Sequence, residues 1–409
     1  MPWKPEHRAL RVLAADDSAV MRRALRTIFD LHAQDSKSLL PKMQLCGVAE
    51  DGMACLRAIK RLQPDVLLLD FEMPVLNGLE VLSRLRVEAP WLPVIMCSAY
   101  TERGAKATLD ALTLGAKDYV MKPSQQSDFA SALDVLMEQL LPRIAAIAGP
   151  IRTPDTVATA FSKELQTAAG LETMALETLA LETRARAAEE RIEVVVIGVS
   201  TGGPAALEVM LPTLPKDLPV PVLIVQHMPR LYTGALAKRL DGLCALNVRE
   251  AVKGDPVQAG CIYLAPGDAH MELTAAGRER RNPAVHLHQG PALNSCMPSA
   301  DYLFRSAAAL YGAGTLAVVM TGMGADGVEG ARAVYEAGGT VLAQDEASSA
   351  VWGMPGRVSR AGIARETLPL NRLAQEITRL VRAGRGTDAG VERDLAPQRM
   401  AREELYGVL

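Results

Sequence analysis

Short apolar runs that alternate with helix-patterned segments constrain this chain more than any other feature of it. The runs Leu10–Ala15, Leu45–Ala49, Val66–Asp70, Val94–Ser98 and Asp118–Met121 are separated by segments such as Met21–Leu31 and Leu79–Arg86, whose apolar residues recur at helical spacing. Strands alternating with helices in this way predict a parallel α/β sheet. A second series opens at Ile192–Gly198 and continues through Val220–His227, Cys261–Ala265, Thr315–Thr321 and Gly339–Ala343. It predicts a second α/β domain, and a chain of 409 residues is long enough for both.

Between the two series the pattern breaks. Leu171-Glu172-Thr173 recurs as Leu176-Glu177-Thr178 and Leu181-Glu182-Thr183. A five-residue step turns a helix by about 500°, so these leucines spiral and form no stripe to bury. The expected division is a first domain over 1–141, a partly helical linker over 142–191, a second domain over 192–385 and a polar, mobile tail over 386–409.

Composition narrows the setting. The apolar fraction of 49% is enough for sizeable cores, and a net charge of −3 gives no general attraction to nucleic acid. The six cysteines are scattered with no CxxC pair, which points to free thiols in a reducing cytoplasm. Charge and proline in Met1–Leu10 do not suit a signal peptide, and no apolar run reaches the ~18 residues a membrane span needs. A soluble, cytoplasmic protein without membrane insertion is expected.

Polar groups at the strand ends carry the first chemistry. Asp16-Asp17 follows Val12–Ala15, Asp70 closes Val66–Asp70, Ser98 closes a fourth strand, and Lys122-Pro123 follows Asp118–Met121. Parallel strands open their C-termini on one edge, where these groups can converge. Three carboxylates with a lysine can hold Mg²⁺ and place a phosphoryl group beside it. Asp70 is then the nucleophile, because its charge needs neutralising before a phosphoryl group can approach. A lone Asp-Asp pair is as readily a helix cap; the full set, in order on successive strands, is not.

On these residues the segment 8–141 resembles the response-regulator receiver family. Ala-Asp-Asp-Ser (15–18) matches its acidic pair and Leu-Asp-Phe-Glu-Met-Pro (69–74) its phosphorylation segment. Ser98 matches its hydroxyl position, Tyr119 its aromatic switch position and Lys122-Pro123 its lysine. The resemblance implies a flavodoxin-like five-stranded parallel sheet, Mg²⁺ at Asp16, Asp17 and Asp70, and phosphorylation of Asp70 by a partner histidine kinase. The stretch His32–Lys42 is longer than usual and is expected to form a surface loop or helix extension.

The second constellation centres on Ser200. Gly198-x-Ser200-x-Gly202 follows a strand and precedes a helical pattern, so small residues permit a sharp turn that exposes the hydroxyl at a helix N-terminus. A structural glycine turn explains a lone match better. His227 adds an imidazole at the same sheet edge, with His270 as a rival, while His286 and His288 look like surface residues. Asp326, in Thr321-Gly322-Met323-Gly324-Ala325-Asp326-Gly327, could orient His227 as a triad acid does. The same segment contains Gly322-x-Gly324-x-x-Gly327, the spacing of a dinucleotide-binding fingerprint. Against that reading, Asp326 would lie where a pyrophosphate must sit.

This second half resembles the chemotaxis protein-glutamate methylesterase (CheB) family. The matching runs are Gly-Val-Ser-Thr-Gly-Gly (198–203), Gln-His-Met-Pro (226–229), Ala-Pro-Gly-Asp-Ala-His-Met-Glu (265–272), Thr-Gly-Met-Gly-Ala-Asp-Gly (321–327), Gln-Asp-Glu-Ala-Ser-Ser (344–349) and Gly-Met-Pro (353–355). The resemblance implies a Rossmann-like doubly wound domain without nucleotide. Ser200 would be the nucleophile, His227 the base and Asp326 the orienting acid. The Met323 N–H would be an oxyanion donor, and Thr201 a hydrogen-bond partner of His227. It also implies methylated chemotaxis receptors as substrate, deamidation of receptor glutamines, no cofactor for hydrolysis, and a receiver that covers the cleft until phosphorylated. Two departures stand out. The family's Asn-x-His-Arg-Pro-Ser reads Asn294-Ser295-Cys296-Met297-Pro298-Ser299, and its Pro-Pro after His-Met reads Pro229-Arg230. These bear on specificity more than on activity. A phosphorylation-controlled binding module with a weakened esterase site is the alternative they leave.

Overall fold

The computed structural model describes residues 8–123, 129–148, 191–276, 282–383 and 385. The Leu-Glu-Thr repeats and the polar tail lie outside the described residues.

The first domain has β1 (Leu10–Ala15), α1 (Ala19–Gln34), β2 (Met43–Ala49), α2 (Gly52–Leu62), β3 (Val66–Asp70), α3 (Gly78–Glu88), β4 (Val94–Ser98), α4 (Glu102–Thr113), β5 (Asp118–Met121) and α5 (Phe129–Ala148). Its five strands are parallel in the order β2-β1-β3-β4-β5. Alternate side chains go to opposite faces, as the period of a strand requires. Leu13, Leu67, Leu69 and Met96 pack with α2 and α3. Val12, Ala14, Leu68 and Ile95 pack with Leu25 and Ile28 of α1 and Leu136 and Leu140 of α5. Side-chain caps from Ser18, Asp51, Asn77 and Thr101 start α1 to α4 by accepting a bond from an otherwise unpaired helix N–H. The long stretch after α1 is part helix extension and part loop, tied down by buried His32, whose Nε2 lies 3.0 Å from the Pro41 carbonyl. Helix α5 continues through Pro142 to Ala148, past the expected domain edge.

The second domain has β6 (Val194–Val199), α6 (Gly203–Met210), β7 (Val222–Gln226), α7 (Arg230–Asp241), β8 (Asn247–Glu250), β9 (Cys261–Leu264), β10 (His270–Ala276), β11 (Asn282–His288), α8 (Ala300–Tyr311), β12 (Thr315–Val319), α9 (Val328–Glu336), β13 (Thr340–Gln344), α10 (Met354–Arg360), β14 (Glu366–Leu368) and α11 (Leu370–Ala383). Seven parallel strands run β14-β13-β12-β6-β7-β9-β8, and β10-β11 is a separate antiparallel hairpin. One face carries α6, α7 and α11 through Leu207, Tyr232, Leu236 and Ile377. The other carries α8, α9 and α10 through Phe304, Ala331 and Met354. Both halves are therefore doubly wound. The order of connections reverses between β1 and β3 in the first sheet and between β6 and β12 in the second. Such reversals open a crevice at the strand C-termini, where α/β proteins place their sites. Among the described residues no helix is long and apolar enough to cross a membrane.

The two domains share a packed boundary. Ala105 and Leu109 of α4 enter the apolar core built on α6 and α7, joined by Tyr119 and Met121 of β5. At its rim Arg239 of α7 pairs with Asp110 at 2.5 Å and Glu208 at 2.6 Å, and donates to Thr113 at 2.8 Å.

Candidate active site and phosphoacceptor cluster

Strand register assembles the first cluster. Ala15 pairs with Leu69, Asp70 with Cys97 and Ser98 with Met121, so the residues that end β1, β3, β4 and β5 reach one edge together. Oxygen atoms of Asp16, Asp17 and Asp70 come within 4.8 Å of one another. The Lys122 ammonium lies 2.9 Å from Asp16 Oδ2 and 2.7 Å from Asp70 Oδ2. Burial and the neighbouring Asp16 raise the Asp70 carboxyl to about 6, against the opposing pull of Lys122. An all-oxygen donor set with surplus negative charge suits a hard divalent cation.

The hydrogen bonds of the Ser98 side chain and the ring contact of Tyr119 lie at the domain boundary rather than on that cluster. The Ser98 hydroxyl lies 2.8 Å from the Tyr232 hydroxyl of α7 and accepts a bond of 2.8 Å from Thr108. The Tyr119 ring stacks on Tyr232 with centroids 5.0 Å apart and planes 9° from parallel. The Tyr232 hydroxyl also lies 3.3 Å from the Ala99 carbonyl.

The second cluster is built at the C-terminal edge of β6, β7 and β12. Val199 pairs with Gln226, which sets Ser200 and His227 side by side just past the strand ends. Gly202 turns the chain into α6 with φ of +77°, a left-handed conformation that glycine adopts without strain. Gln226, 1% exposed, donates to the Ser200 carbonyl at 3.0 Å and fixes the turn from below. A Cβ on Gly322 would stand 2.7 Å from Ser200 Cβ, so the β12 loop lies directly against the serine. Among the described residues, neither the Ser200 hydroxyl nor the Met323 N–H has a hydrogen-bond partner.

His227 Nε2 lies 2.7 Å from Asp326 Oδ2. Asp326, 1% exposed, also accepts from Ser299 Oγ at 2.5 Å and Ala300 N at 2.6 Å, which locks it at the start of α8. Burial alone would raise the Asp326 carboxyl, but the bond and charge of His227 hold it below its usual value. Burial likewise opposes charge on His227, yet its bonds to Asp326 and Cys296 lift it to about 10. Both carboxylate oxygens of Asp326 accept from protein donors, which fixes its negative charge inside the glycine-spaced loop, where it would repel a pyrophosphate.

Several expectations need correcting. Thr201 does not hold His227; its hydroxyl donates to Asp118 Oδ2 at 2.9 Å, because that buried carboxylate of β5 needs donors. Asp118 is also paired with Arg143 of α5 at 3.2 Å. His270 is fully buried away from Ser200 and accepts from the Ser299 N–H at 3.2 Å, supporting the residue that holds Asp326. His286 and His288 are half-buried rather than surface residues. His288 packs on His270 and Tyr302 and pairs with Glu272, because the β10-β11 hairpin folds that face onto α8. Cys296, standing where the resemblance expects histidine, places Sγ 3.6 Å from His227 Nδ1. Gln226 went unassigned although it lies in a matching run, and Ser299 although it closes the departing segment 294–299; Tyr232 and Arg143 carry no sequence signal, since their roles arise across the domain boundary.

Receiver side chains reach this site. Asp118, Tyr119 and Arg143 line a cavity with Ser200, Thr201, Gln226 and His227, and its volume is about 20 Å³. That is room for roughly a single water.

Comparison with known proteins agrees with both halves. Residues 195–377 match the family described as CheB methylesterase, and residues 12–134 match the response regulator receiver domain. A "protein-glutamate methylesterase/protein-glutamine glutaminase" of Trichodesmium erythraeum is 41% identical over 91% of this chain and 99% of its own length. One of the same name from a Nocardioides species is 43% identical over 90% of this chain and 95% of its own. The crystal structure of the Thermotoga maritima CheB methylesterase catalytic domain is 41% identical, covering 47% of this chain and all of that one, with a TM-score of 0.45.

Proposed function

Because this chain belongs to the protein-glutamate methylesterase/protein-glutamine glutaminase family, we propose that it is a phosphorylation-activated serine hydrolase of chemotactic adaptation. It removes γ-methyl esters from glutamates of chemoreceptors in the cytoplasm and deamidates receptor glutamines. The observation that carries the reading is the Asp326–His227 pair at 2.7 Å, fixed beside Ser200 at the switch point of the second sheet.

The chemistry follows from which ring nitrogen the carboxylate leaves open. Asp326 occupies Nε2, so Nδ1 is the nitrogen that takes the Ser200 proton as Oγ attacks the ester carbonyl. The N–H of Met323, unpaired among the described residues, supports an oxyanion role beside the serine. Nδ1 then returns the proton to the methoxide, methanol leaves, and a glutamyl ester of Ser200 remains. Water, deprotonated by the same nitrogen, releases the receptor carboxylate. A glutamine side chain follows the same path with ammonia as leaving group.

Regulation follows from the boundary. A cavity with room for one water cannot admit a glutamyl methyl ester, so the receiver is an occluding cover. A kinase phosphorylates Asp70, and Asp16, Asp17 and Asp70 would hold Mg²⁺, which neutralises charge at the phosphoryl group. The new phosphoryl oxygens then compete with Tyr232 for the Ser98 hydroxyl, and with the carboxylates for Lys122. The test is methanol release from methylated receptor membranes, with and without a small phosphodonor. Absence of methanol from the stimulated enzyme would reject the esterase and favour a regulated binding module.

A further inference from the structure

Cys296 touches the centre of the proposed machinery without a step of its own in it. Its Sγ lies 3.6 Å from Nδ1, the ring nitrogen the mechanism needs. Cys296 Sγ, a His227 nitrogen and an Asp326 oxygen come within 4.8 Å of one another. A tetrahedral zinc with Zn–S of about 2.3 Å and Zn–N of about 2.05 Å holds those ligand atoms ~3.6 Å apart, with the ion beside the line joining them. The spacing observed is that of a tetrahedral edge.

The surroundings are those of a metal-bound histidine. The second ring nitrogen is held by a carboxylate, which orients the imidazole and raises its basicity towards a metal. Asp326 is itself fixed by Ser299 and Ala300, so the ring is aimed in advance. Cys296 is half-buried on the loop before α8, and its Sγ also meets the Asn294 carbonyl at 3.4 Å. Thiolate with imidazole selects a thiophilic cation and discriminates against Mg²⁺, the reverse of the Asp16–Asp17–Asp70 cluster.

We propose that Cys296 and His227, backed by Asp326, form a binding site for a thiophilic divalent cation of the zinc class, and that the bound ion silences hydrolysis. The ion displaces the proton from Nδ1 and takes the lone pair that must otherwise accept the Ser200 proton. With two firm protein ligands and positions left to water, binding is reversible, as suits a brake. The site itself does not depend on the catalytic reading; the silencing does.

The full chain, reduced and freed of metal, provides the test. Co²⁺ should give a thiolate-to-metal charge-transfer absorption in the near ultraviolet, and Zn²⁺ should abolish it stoichiometrically while Mg²⁺ in excess does not. Cys296→Ser should lose that band and weaken Zn²⁺ binding by at least about tenfold, the scale of losing a metal ligand or its support. Cys244→Ser, a thiol on the far side of the sheet edge after α7, controls for other cysteines and should behave as the unaltered chain. A native far-ultraviolet spectrum of Cys296→Ser establishes that it folds. A Co²⁺ spectrum without the band, or Zn²⁺ binding unchanged by Cys296→Ser, overturns the site. Methanol release should fall along the same Zn²⁺ binding curve. Binding that needs both Cys296 and His227 but leaves hydrolysis untouched overturns the silencing and, with it, His227 as the base.

Discussion

At the scale of single residues the proposed chemistry rests on three side chains. Ser200→Ala should abolish methanol release and leave the fold and Asp70 phosphorylation intact, since it removes a hydroxyl without opening a core cavity. His227→Ala should be comparably severe. His270→Ala should keep most of the turnover and lose stability instead, because it removes a buried acceptor of the Ser299 N–H. A reversed ranking of the two histidines in the methanol assay would mean that the base is misassigned. Asp326→Asn should lower turnover by about 10⁴-fold, the scale seen when a serine hydrolase loses its orienting carboxylate. It also carries a signature in pH. With Asp326 and Cys296 lifting His227 to about 10, the basal enzyme holds the ring as a cation at neutrality. The rate should climb as pH rises towards that value, because the base must first lose its proton. Asp326→Asn removes a main raising contact, so the limb of the profile should move to lower pH. Most of this was legible in the sequence: Asp70, Lys122, Ser200, His227 and Asp326 end strands or stand in tight loops, and strand ends converge by topology. Cys296 was legible as a departure but not as a neighbour of His227. The approach of the 294–299 loop to β7 is a tertiary event with no periodicity to announce it.

Elements show a similar division. Each strand of the five-residue-or-longer apolar kind was visible, and β1, β3, β4 and β5 have the bounds their apolar runs predict. The short edge strands β8 and β14 and the hairpin β10-β11 were not foreseen. Strands β8 and β14 are only four and three residues long, and the seven-residue strands β10 and β11 mix polar with apolar residues, so neither kind shows as an apolar run. The turn between β6 and α6 is the element on which the serine depends. Gly202→Ala should test it, because a side chain at φ of +77° is strained and the new methyl meets Ala350. Strain of this kind costs about 1–3 kcal/mol. Denaturant unfolding should show that loss, and turnover should fall with little change in KM if the displaced group is the nucleophile. Unchanged stability would mean that the turn relaxes freely, and that glycine there is a convenience rather than a requirement.

The whole molecule adds what neither domain holds alone, a switch hydroxyl already engaged by the domain it regulates. Ser98 is shared between Thr108 and Tyr232, while Tyr119 stacks on the same tyrosine. Tyr232→Phe keeps the stacked ring and removes only the hydroxyl. A neutral hydrogen bond contributes about 0.5–1.5 kcal/mol, so basal methanol release should rise roughly 2- to 10-fold in that variant. Removing the whole receiver should do more. The cut belongs after Ala148, since α5 runs that far and Arg143, which reaches Asp118 over the active site, lies on it. Switch couplings of about 1–3 kcal/mol correspond to roughly 5- to 150-fold, and the truncated chain should gain activity within that range. A small phosphodonor with Mg²⁺ should raise the full chain towards the same level, and Asp70→Asn should lose the response. In Tyr232→Phe the remaining stimulation should shrink by the factor the basal rate has gained, because the hydroxyl cannot be released twice. That reciprocity separates a lock from a passive cover: a Tyr232→Phe variant with unchanged basal rate and full stimulation would leave Ser98–Tyr232 a bystander. A truncated enzyme slower than the unstimulated full chain would reject occlusion outright, and would assign the receiver to building the active site or bringing substrate to it.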